Sequence, residues 1–252
     1  MNLDLIRKDF PILETQVNGH QIVYFDNGAT TQRPLPVVNA VVDYVTHQNG
    51  NPHRGAHIFA ISASEAYDTS KEVVRDFIHA RSEKESIYTR NTTESLNLVS
   101  RSYGETHLKK GDHILITIAE HHSNLVTWQR AAEKTGAVLD YIYIDKETGH
   151  FPEEELKKID DPRVKILAFA QVSNVLGVEF DPKPLIKRAH AHGAVVVLDG
   201  AQSTPHKQID VQDLDCDFFA FSGHKMCSMG GIGVLYAKEE LLDEREPFLM
   251  GG

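Results

Sequence analysis

The stretch AVVVLDG, residues 194–200, decides the fold class, because apolar residues lead without alternation into an acid and a glycine. A strand that is apolar at successive positions is buried on both faces, as in a parallel sheet covered by helices, whereas a half-exposed strand alternates. Most of the other strand-length runs share this pattern. They lie at residues 22–26, 86–90, 113–118, 137–144, 164–170, 217–222 and 231–237.

Stretches with helical periodicity separate these runs. They are residues 62–80, 92–103, 124–136 and 181–193. In the first of them, an apolar stripe is predicted at Ala66, Ser70, Val73 and Phe77, with Tyr67, Val74 and Ile78 beside it. The alternation of strands and helices predicts an α/β domain over residues 21–252, with a mostly parallel central sheet flanked by helices. Residues 1–20 are expected to form an N-terminal arm or part of a smaller domain.

The composition excludes several classes of function. With 36 acidic and 26 basic residues the formal net charge is −10, and no Lys/Arg-rich block is present, so no nucleic-acid partner is expected. The opening MNLDLIRKDFPILETQ lacks a secretory signal, and no apolar run reaches the roughly 18 residues of a membrane span. Two cysteines, Cys216 and Cys227, are too few for a disulfide framework. We therefore expect a cytoplasmic protein with no membrane attachment.

The 14 histidines do not form a metal-binding pattern. His121 and His122 are adjacent, while His190 and His192 are two residues apart on a predicted helix, which points them to different faces. We expect no metal site.

Polar residues follow five of the predicted strands. Ligands of open α/β sheets bind at this edge, where strands pass into helices. The segments concerned are NTTES (91–95), AEHHSN (119–124), QVSNVLG (171–177), DGAQS (199–203) and SGHK (222–225). We predict that their side chains meet at one rim of the sheet.

Lys225 stands between two apolar strands, an unusual place for a full charge. A phosphate-binding P-loop is excluded because the pattern GxxxxGK[ST] is absent. A partly desolvated amine has a lowered pKa, and its neutral form attacks an aldehyde to give an imine. Pyridoxal 5′-phosphate is the usual protein-bound aldehyde. It requires a carboxylate at its ring nitrogen, a phosphate-binding site and a flat group over its ring.

Each requirement has candidate residues. Asp199 is the candidate for the ring nitrogen, although a lone aspartate after a strand is more often a helix cap. His121 is the candidate for stacking on the ring. The candidates for the phosphate are Thr92, Thr93, Ser222 and His224, and those for the phenolic oxygen are Asn174 and Gln202. Each residue alone is weak support, but the set in this order favours pyridoxal phosphate.

Several motifs together resemble a known family. They are FDNGATTQRP, NPHRGAH, TRNTTESLN, EHHSN, QVSNVLG, VVLDGAQS and FSGHKM followed by GIGVLY. The chain resembles the group II (SUF-type) cysteine desulfurases, within the class V aminotransferase-like pyridoxal phosphate enzymes, from about residue 4 to its end. The resemblance implies the large domain of fold type I, with the C-terminal small domain largely absent from this sequence. It agrees with the run DEREPFLMGG, which ends like a turn into further structure.

The resemblance also implies a reaction. Lys225 would bind the cofactor covalently and move protons, and His121 would assist it. L-cysteine would become L-alanine, with the sulfur passed as a persulfide to an acceptor protein for iron–sulfur cluster assembly. The enzyme would be a homodimer, and His53 and Arg54 would lie near the active-site mouth and the dimer contact.

Two departures from the family pattern qualify these expectations. The family's persulfide cysteine and its carboxylate-binding arginine lie in a C-terminal portion not found in this sequence. Cys216 is expected to be a packing residue and Cys227 a spacer beside Lys225. The loop CSMGGIG replaces a glycine–proline-containing turn of the relatives. We expect these 252 residues alone to bind pyridoxal phosphate weakly and not to turn over cysteine.

Other functions stay open at this point. With the same cofactor, the protein would be a selenocysteine lyase or another class V aminotransferase-like enzyme, including an epimerase. A different class is a non-catalytic module that keeps the fold for binding or dimerisation. A dinucleotide-binding fold is disfavoured because no GxGxxG follows a strand.

Overall fold

The computed structural model describes residues 2–243 and 247–250. Nine strands lie in this part of the chain: β1 Gln16–Val17, β2 His20–Gln21, β3 Ser86–Thr89, β4 His113–Thr117, β5 Val138–Ile142, β6 Val164–Ala170, β7 Val195–Asp199, β8 Phe218–Ser222 and β9 Gly233–Ala237. The α-helices are α1 Leu3–Lys8, α2 Leu35–Asp43, α3 Ile58–Ile78, α4 Thr92–Leu98, α5 Glu105–His107, α6 His122–Thr135, α7 Glu153–Leu156, α8 Pro182–Ala191, α9 Val211–Leu214 and α10 Glu239–Asp243. Part of the chain end interpreted as a turn, Gly251 and Gly252, lies outside the described residues.

Seven of the strands form one sheet, in the order β3-β9-β8-β7-β6-β4-β5. β5, β4, β6, β7 and β8 are parallel to one another, and β9 is antiparallel to both β8 and β3. The prediction of a mostly parallel α/β sheet is confirmed. We call the edge at which Thr117, Ala170, Asp199 and Ser222 end their strands the upper edge, and the opposite edge the lower edge.

The core has two halves, one on each face of the sheet. Along β6, Leu167 and Phe169 pack into one apolar cluster, while Ile166 and Ala168 pack into the other. Because both faces are covered, successive positions of the strand are apolar. This is the physical origin of the unbroken runs in the sequence.

The strand predicted at residues 22–26 is wrong. The chain there has no regular structure, and Phe25 is 93% exposed. A short hairpin, β1–β2, precedes it instead, with Asn18 and Gly19 at φ 53° and 77° in its turn. An apolar run becomes a strand only if a partner strand pairs with it. Residues 25–29 instead border a cavity at the upper edge.

The helix predicted at residues 62–80 exists as α3, but its predicted apolar stripe is not the buried face. Val73 is 60% exposed, and Phe77 is also exposed. Ala60, Ala63 and Ile78 are buried instead, so only the flank of the stripe, at Val74 and Ile78, packs against the core as predicted. The helix carries apolar residues on more than one face, and the fold buries only one of them. Helix α2 was not predicted.

The helix predicted at residues 92–103 divides in two. α4 ends at Leu98, and a π-helical turn, Val99–Gly104, continues it. No described helix combines the length and apolar character needed to cross a membrane.

Candidate active site

The upper edge of the sheet carries a cavity of about 690 Å³. Strands β6, β7 and β8 open onto it, and α4 and α6 begin beside it. All nine candidate cofactor-binding residues line this one cavity: Thr92, Thr93, His121, Asn174, Asp199, Gln202, Ser222, His224 and Lys225. The predicted meeting of five strand ends at one rim is therefore confirmed, while the role of each residue stays a prediction.

Asp199 is the last residue of β7 and is only 4% exposed. Its Oδ1 accepts a hydrogen bond of 2.8 Å from the backbone N–H of Ala201, and Oδ2 accepts none from the described residues. Burial raises the pKa of this carboxyl, and the Ala201 N–H, Lys225 and His121 only partly oppose that effect. A side chain at Gly200 would meet the ring of Phe219 at 2.0 Å, so only glycine permits this close packing after Asp199.

Lys225 ends a 3₁₀ turn, Gly223–Lys225, directly after β8. Desolvation lowers the pKa of its ammonium group, and Asp199 opposes the shift. Within the part of the chain that the structure describes, Lys225 makes no ion pair within 4.0 Å. The site therefore shifts the equilibrium at Nζ toward the neutral amine.

The segment around Thr31 holds the Lys225 turn in place. The backbone oxygen of His224 accepts hydrogen bonds from the Thr31 N–H at 2.9 Å and from the hydroxyls of Thr30 and Thr31 at 3.1 Å each. The Thr31 hydroxyl also accepts the N–H of Cys227 at 2.8 Å. Cys227 has a left-handed backbone at φ 66°, so this contact supports a conformation that non-glycine residues rarely adopt.

His121 caps the N-terminus of α6. Its Nδ1 lies 3.1 Å from the N–H of Ser123 and 2.7 Å from the Ser123 hydroxyl. Desolvation and the charge of Lys225 lower the pKa of the imidazole, and Asp199 partly opposes them. The ring is exposed where it borders the cavity.

The residues predicted for the phosphate lie at the start of α4 and after β8. The Ser222 hydroxyl accepts the N–H of Thr92 at 2.8 Å and pairs with the Thr92 hydroxyl at 2.7 Å. Thr93 is exposed at the same cavity wall. His224 is bonded through Nδ1 to the Thr30 hydroxyl at 3.2 Å, and burial is the main cause that lowers the pKa of its ring.

The residues predicted for the phenolic oxygen border the cavity from two loops. Asn174 is exposed in the loop after β6. Gln202 donates from Nε2 to the backbone oxygen of Gly28 at 2.8 Å, which leaves its Oε1 free of side-chain donors in the described structure. Gly28 belongs to the irregular segment that forms one wall.

Sequence reasoning missed Glu120 and the wall segment. The Glu120 carboxylate accepts hydrogen bonds from the Thr117 hydroxyl, from the Asn124 side chain at 2.6 Å and from the backbone N–H of Ala170 at 3.1 Å. Desolvation raises its pKa to about 7. It thus joins the ends of β4 and β6 to α6. Its place in AEHHSN, directly before His121, was the available signal.

His53 and Arg54 are not among the residues that line the cavity. His53 packs against α3, where its backbone N–H donates to the Ser64 hydroxyl at 2.8 Å and its Nε2 lies 3.5 Å from Asp68. Their location near the mouth stays a prediction. Among the described residues, no group of three or more His, Cys, Asp or Glu side chains is placed to hold a metal ion.

The residues present fit pyridoxal phosphate. They supply an amine without an ion pair, a buried carboxyl group with one oxygen free, an exposed flat ring, and hydroxyl groups beside a helix N-terminus. Fold and cavity together define a pyridoxal-phosphate-dependent enzyme domain of fold type I.

The comparisons with known proteins narrow this class. The Aminotransferase class-V family model matches residues 23–252, and the chain belongs to that family. Over its whole length it is 48% identical to a probable cysteine desulfurase of Halalkalibacterium halodurans and covers 62% of that relative. The chain thus spans about three fifths of this relative's length.

Two solved structures are similar in fold. The apo structure of a cysteine desulfurase from Thermococcus onnurineus superposes with a TM-score of 0.90 at 41% identity, over 99% of this chain and 60% of the other. The cysteine desulfurase CsdA from Escherichia coli, in its S-sulfonic acid form, gives a TM-score of 0.87 at 38% identity, over 100% of this chain and 62% of the other.

Proposed function

We propose that the whole protein is a pyridoxal-phosphate-dependent cysteine desulfurase of the group II (SUF) type, converting L-cysteine to L-alanine. The observation that carries the proposal is that Lys225 and Asp199 line the same cavity. There the pKa of the lysine is lowered and that of the aspartate is raised. Relatives that are 44–48% identical and are named cysteine desulfurases support the choice of substrate.

Pyridoxal phosphate, when bound, supplies an aldehyde for covalent attachment and a ring that withdraws electrons from an attached amino acid. Lys225 would hold the cofactor through Nζ and would move a proton once that nitrogen is released. Its lowered pKa favours the neutral amine needed for attachment. Asp199 would accept a hydrogen bond from the ring nitrogen at Oδ2, which accepts none from the described residues.

The other residues orient the cofactor. Thr93 and His224 donate to the phosphate, and the Thr92–Ser222 pair fixes the wall behind it. Asn174 and Gln202 would hydrogen-bond the phenolic oxygen. His121 would stack on the ring and assist proton transfer at the substrate.

The sulfur leaves as a persulfide. The Cβ–S bond of the substrate breaks, a bond forms between that sulfur and an enzyme thiolate, and protons complete L-alanine, so no external oxidant is needed. Cys216 does not fit this role, because burial raises its pKa strongly and keeps the thiol protonated. Cys227 lies beside the Lys225 turn and serves as a spacer. The thiolate is thus expected from the part of the relatives that this chain does not span.

We further propose that the protein works as a cytoplasmic homodimer that passes sulfur to an acceptor protein for iron–sulfur cluster assembly. Residues 21–252 form the cofactor-binding domain, and residues 1–20 form an arm. His53 and Arg54 reach the active-site mouth in the dimer. The exposed apolar residues of α3, including Val73 and Phe77, supply a surface that a second subunit can cover.

The test is turnover by the complete protein with L-cysteine, measured as alanine formed and as sulfide released by a reductant. Borohydride treatment followed by peptide mapping should find a pyridoxyl group on Lys225. The 252-residue chain is the matched control, and we expect weak binding of the cofactor and no turnover from it.

Other outcomes would contradict the proposal. Turnover of selenocysteine but not cysteine would make the protein a selenocysteine lyase. Alanine consumption with an oxoacid would make it an aminotransferase. Absence of a pyridoxyl adduct in the complete protein would leave a non-catalytic binding module.

A further inference from the structure

The N-terminus of α6 holds His121 through one ring nitrogen. The backbone N–H of Ser123 donates to Nδ1 at 3.1 Å, and a backbone N–H has no acceptor capacity. Nδ1 therefore accepts, so it carries no proton. The Ser123 hydroxyl, 2.7 Å from the same nitrogen, must then be a donor as well.

This arrangement decides the tautomer of the ring. A neutral imidazole carries one proton, and with Nδ1 occupied as an acceptor that proton lies on Nε2. Nε2 makes no hydrogen bond with the described residues, so it is the nitrogen left for a ligand in the cavity. A second proton would have to enter at Nδ1, where it would break the bond from the Ser123 N–H and force the hydroxyl to accept in place of donating.

The surrounding charges act in the same direction. Lys225 and His122 disfavour a positive charge on the ring, as does its partial desolvation, and only Asp199 opposes them. Two separate features thus keep the ring neutral. One is the helix cap, which occupies Nδ1, and the other is the surroundings, which mostly disfavour a positive charge on the ring. Ser123 is buried in the first turn of a 14-residue helix.

We propose that Ser123 is a positioning residue that fixes His121 as the neutral Nε2–H tautomer, so that His121 presents a hydrogen-bond donor and not a base to the bound substrate. The part concerning substrate rests on the proposed function, whereas the tautomer does not. A neutral imidazole keeps this proton, so His121 donates a hydrogen bond from Nε2 to the bound substrate and does not transfer the proton.

The first experiment is ¹⁵N NMR of the complete protein without pyridoxal phosphate, labelled only in its histidine rings. The His121 signals are assigned by their loss in His121→Gln. We expect a protonated Nε2 and an unprotonated Nδ1 at neutral pH. Observation of the Nδ1–H tautomer, or of the imidazolium form, would overturn the proposal whether or not the protein is a desulfurase.

The second experiment compares variants at Ser123. Ser123→Ala removes the hydroxyl donor but keeps the backbone donor, so we expect a measurable Nδ1–H fraction and a kcat about threefold to tenfold lower, the range for one hydrogen bond, with little change in KM. Ser123→Thr retains the hydroxyl and should restore both. Thr135→Ala, at the far end of the same helix, is the matched control and should change neither.

The outcomes separate the two proposals. A wild-type tautomer and kcat that both persist in Ser123→Ala would contradict the positioning role. A tautomer that shifts in Ser123→Ala, in a protein that does not turn over cysteine, would support the role of Ser123 and refute the proposed function.

Discussion

Two buried aspartates on neighbouring strands show how differently the two edges of the sheet are built. Asp217 lies at the lower edge, just before β8, and is 6% exposed. Its carboxylate accepts hydrogen bonds from the Val196 N–H at 2.7 Å and pairs with His190 at 2.8 Å and Lys238 at 2.9 Å. Asp199, at the upper edge, is 4% exposed and accepts one backbone N–H.

The two carboxyl groups have opposite pKa shifts. Burial acts to raise both, but at Asp217 the bonds from His190, Val196 and Lys238 outweigh it and the pKa falls. At Asp199 burial prevails and the pKa rises. A buried carboxylate without partners is costly, so it persists where a ligand supplies the missing partner. Partners, not burial, therefore distinguish the two carboxyl groups.

The lysines repeat the contrast. Lys238 pairs with Asp217 and Asp215, and these bonds raise its pKa. Lys225 has no such pair in the described structure, and desolvation lowers its pKa. One lysine stabilises the fold as an ammonium ion, whereas the other is suited to react as an amine.

Replacement of these two lysines gives the largest expected difference. Lys225→Ala should abolish covalent capture of pyridoxal phosphate, seen as complete loss of the visible absorption band and of the pyridoxyl peptide after borohydride treatment, because no other amine faces Asp199 in the described cavity. Lys238→Ala should keep the band in full. A band that survives in Lys225→Ala would show that another residue binds the cofactor.

The two aspartates should differ in stability. Asp217→Asn leaves His190 and Lys238 without their shared partner, so we expect the free energy of unfolding to fall by about 3 kcal/mol in urea titrations. Asp199→Asn keeps the acceptor for the Ala201 N–H and removes a desolvated charge. We expect no loss and a gain of up to about 1 kcal/mol without cofactor, together with weaker cofactor binding.

The control for this pair is Asp215→Asn. The Asp215 carboxylate pairs with Lys238, as Asp217 does, but is 62% exposed. Its replacement should therefore lower the free energy of unfolding by less than about 1 kcal/mol. Equal destabilisation by Asp217→Asn and Asp199→Asn would remove the distinction between the edges.

The features that the sequence predicted correctly are those that local sequence patterns determine. Unbroken apolar runs identified seven of the sheet strands, and the order of polar residues after them located Asp199, Lys225 and His121 at one rim. Both follow from a simple constraint, because parallel strands in a covered sheet must be apolar inside and can carry polar groups only at their ends.

What the sequence missed depends on contacts between distant segments. Nothing local in residues 22–26 shows that no strand pairs with them, and only the fold places Gly28 beside Gln202. Glu120 resembles a surface acid until Thr117, Asn124 and the Ala170 N–H surround its carboxylate. The sequence likewise did not show which face of α3 is exposed, because two faces of this helix carry apolar residues.

Because of Glu120, at the upper edge, the free energy of unfolding should fall as the pH rises. Its folded pKa of about 7 lies above the ordinary value of 4.5, so between these values the native state holds a proton that the unfolded state has lost. Stability should therefore fall from about pH 4.5 to about pH 7, by up to about 3 kcal/mol. Glu120→Gln should flatten this slope in urea titrations at several pH values. An unchanged slope would contradict the assignment.

His190, at the lower edge, should make the free energy of unfolding fall less steeply with pH than Glu120 does. Its hydrogen bond to Asp217 raises the pKa of the ring, although partial desolvation opposes the shift. The stability it adds is fully present below the unfolded pKa of about 6.5 and is lost as pH rises through the higher folded pKa. The side chain is 26% exposed, which limits the loss to about 1 kcal/mol, and His190→Gln should remove it.

The pH dependences of stability due to Glu120 and His190 together test whether the two edges of the sheet titrate independently. Both lower stability as the pH rises, but Glu120 acts below about pH 7 and His190 from about pH 6.5 upwards. No described residue pairs with both groups, so the changes in Glu120→Gln and His190→Gln should add within about 0.5 kcal/mol in the double variant. A larger deviation would mean that the charge state of the lower edge reaches the cavity, and the acids of the two edges would then have to be treated as one coupled system.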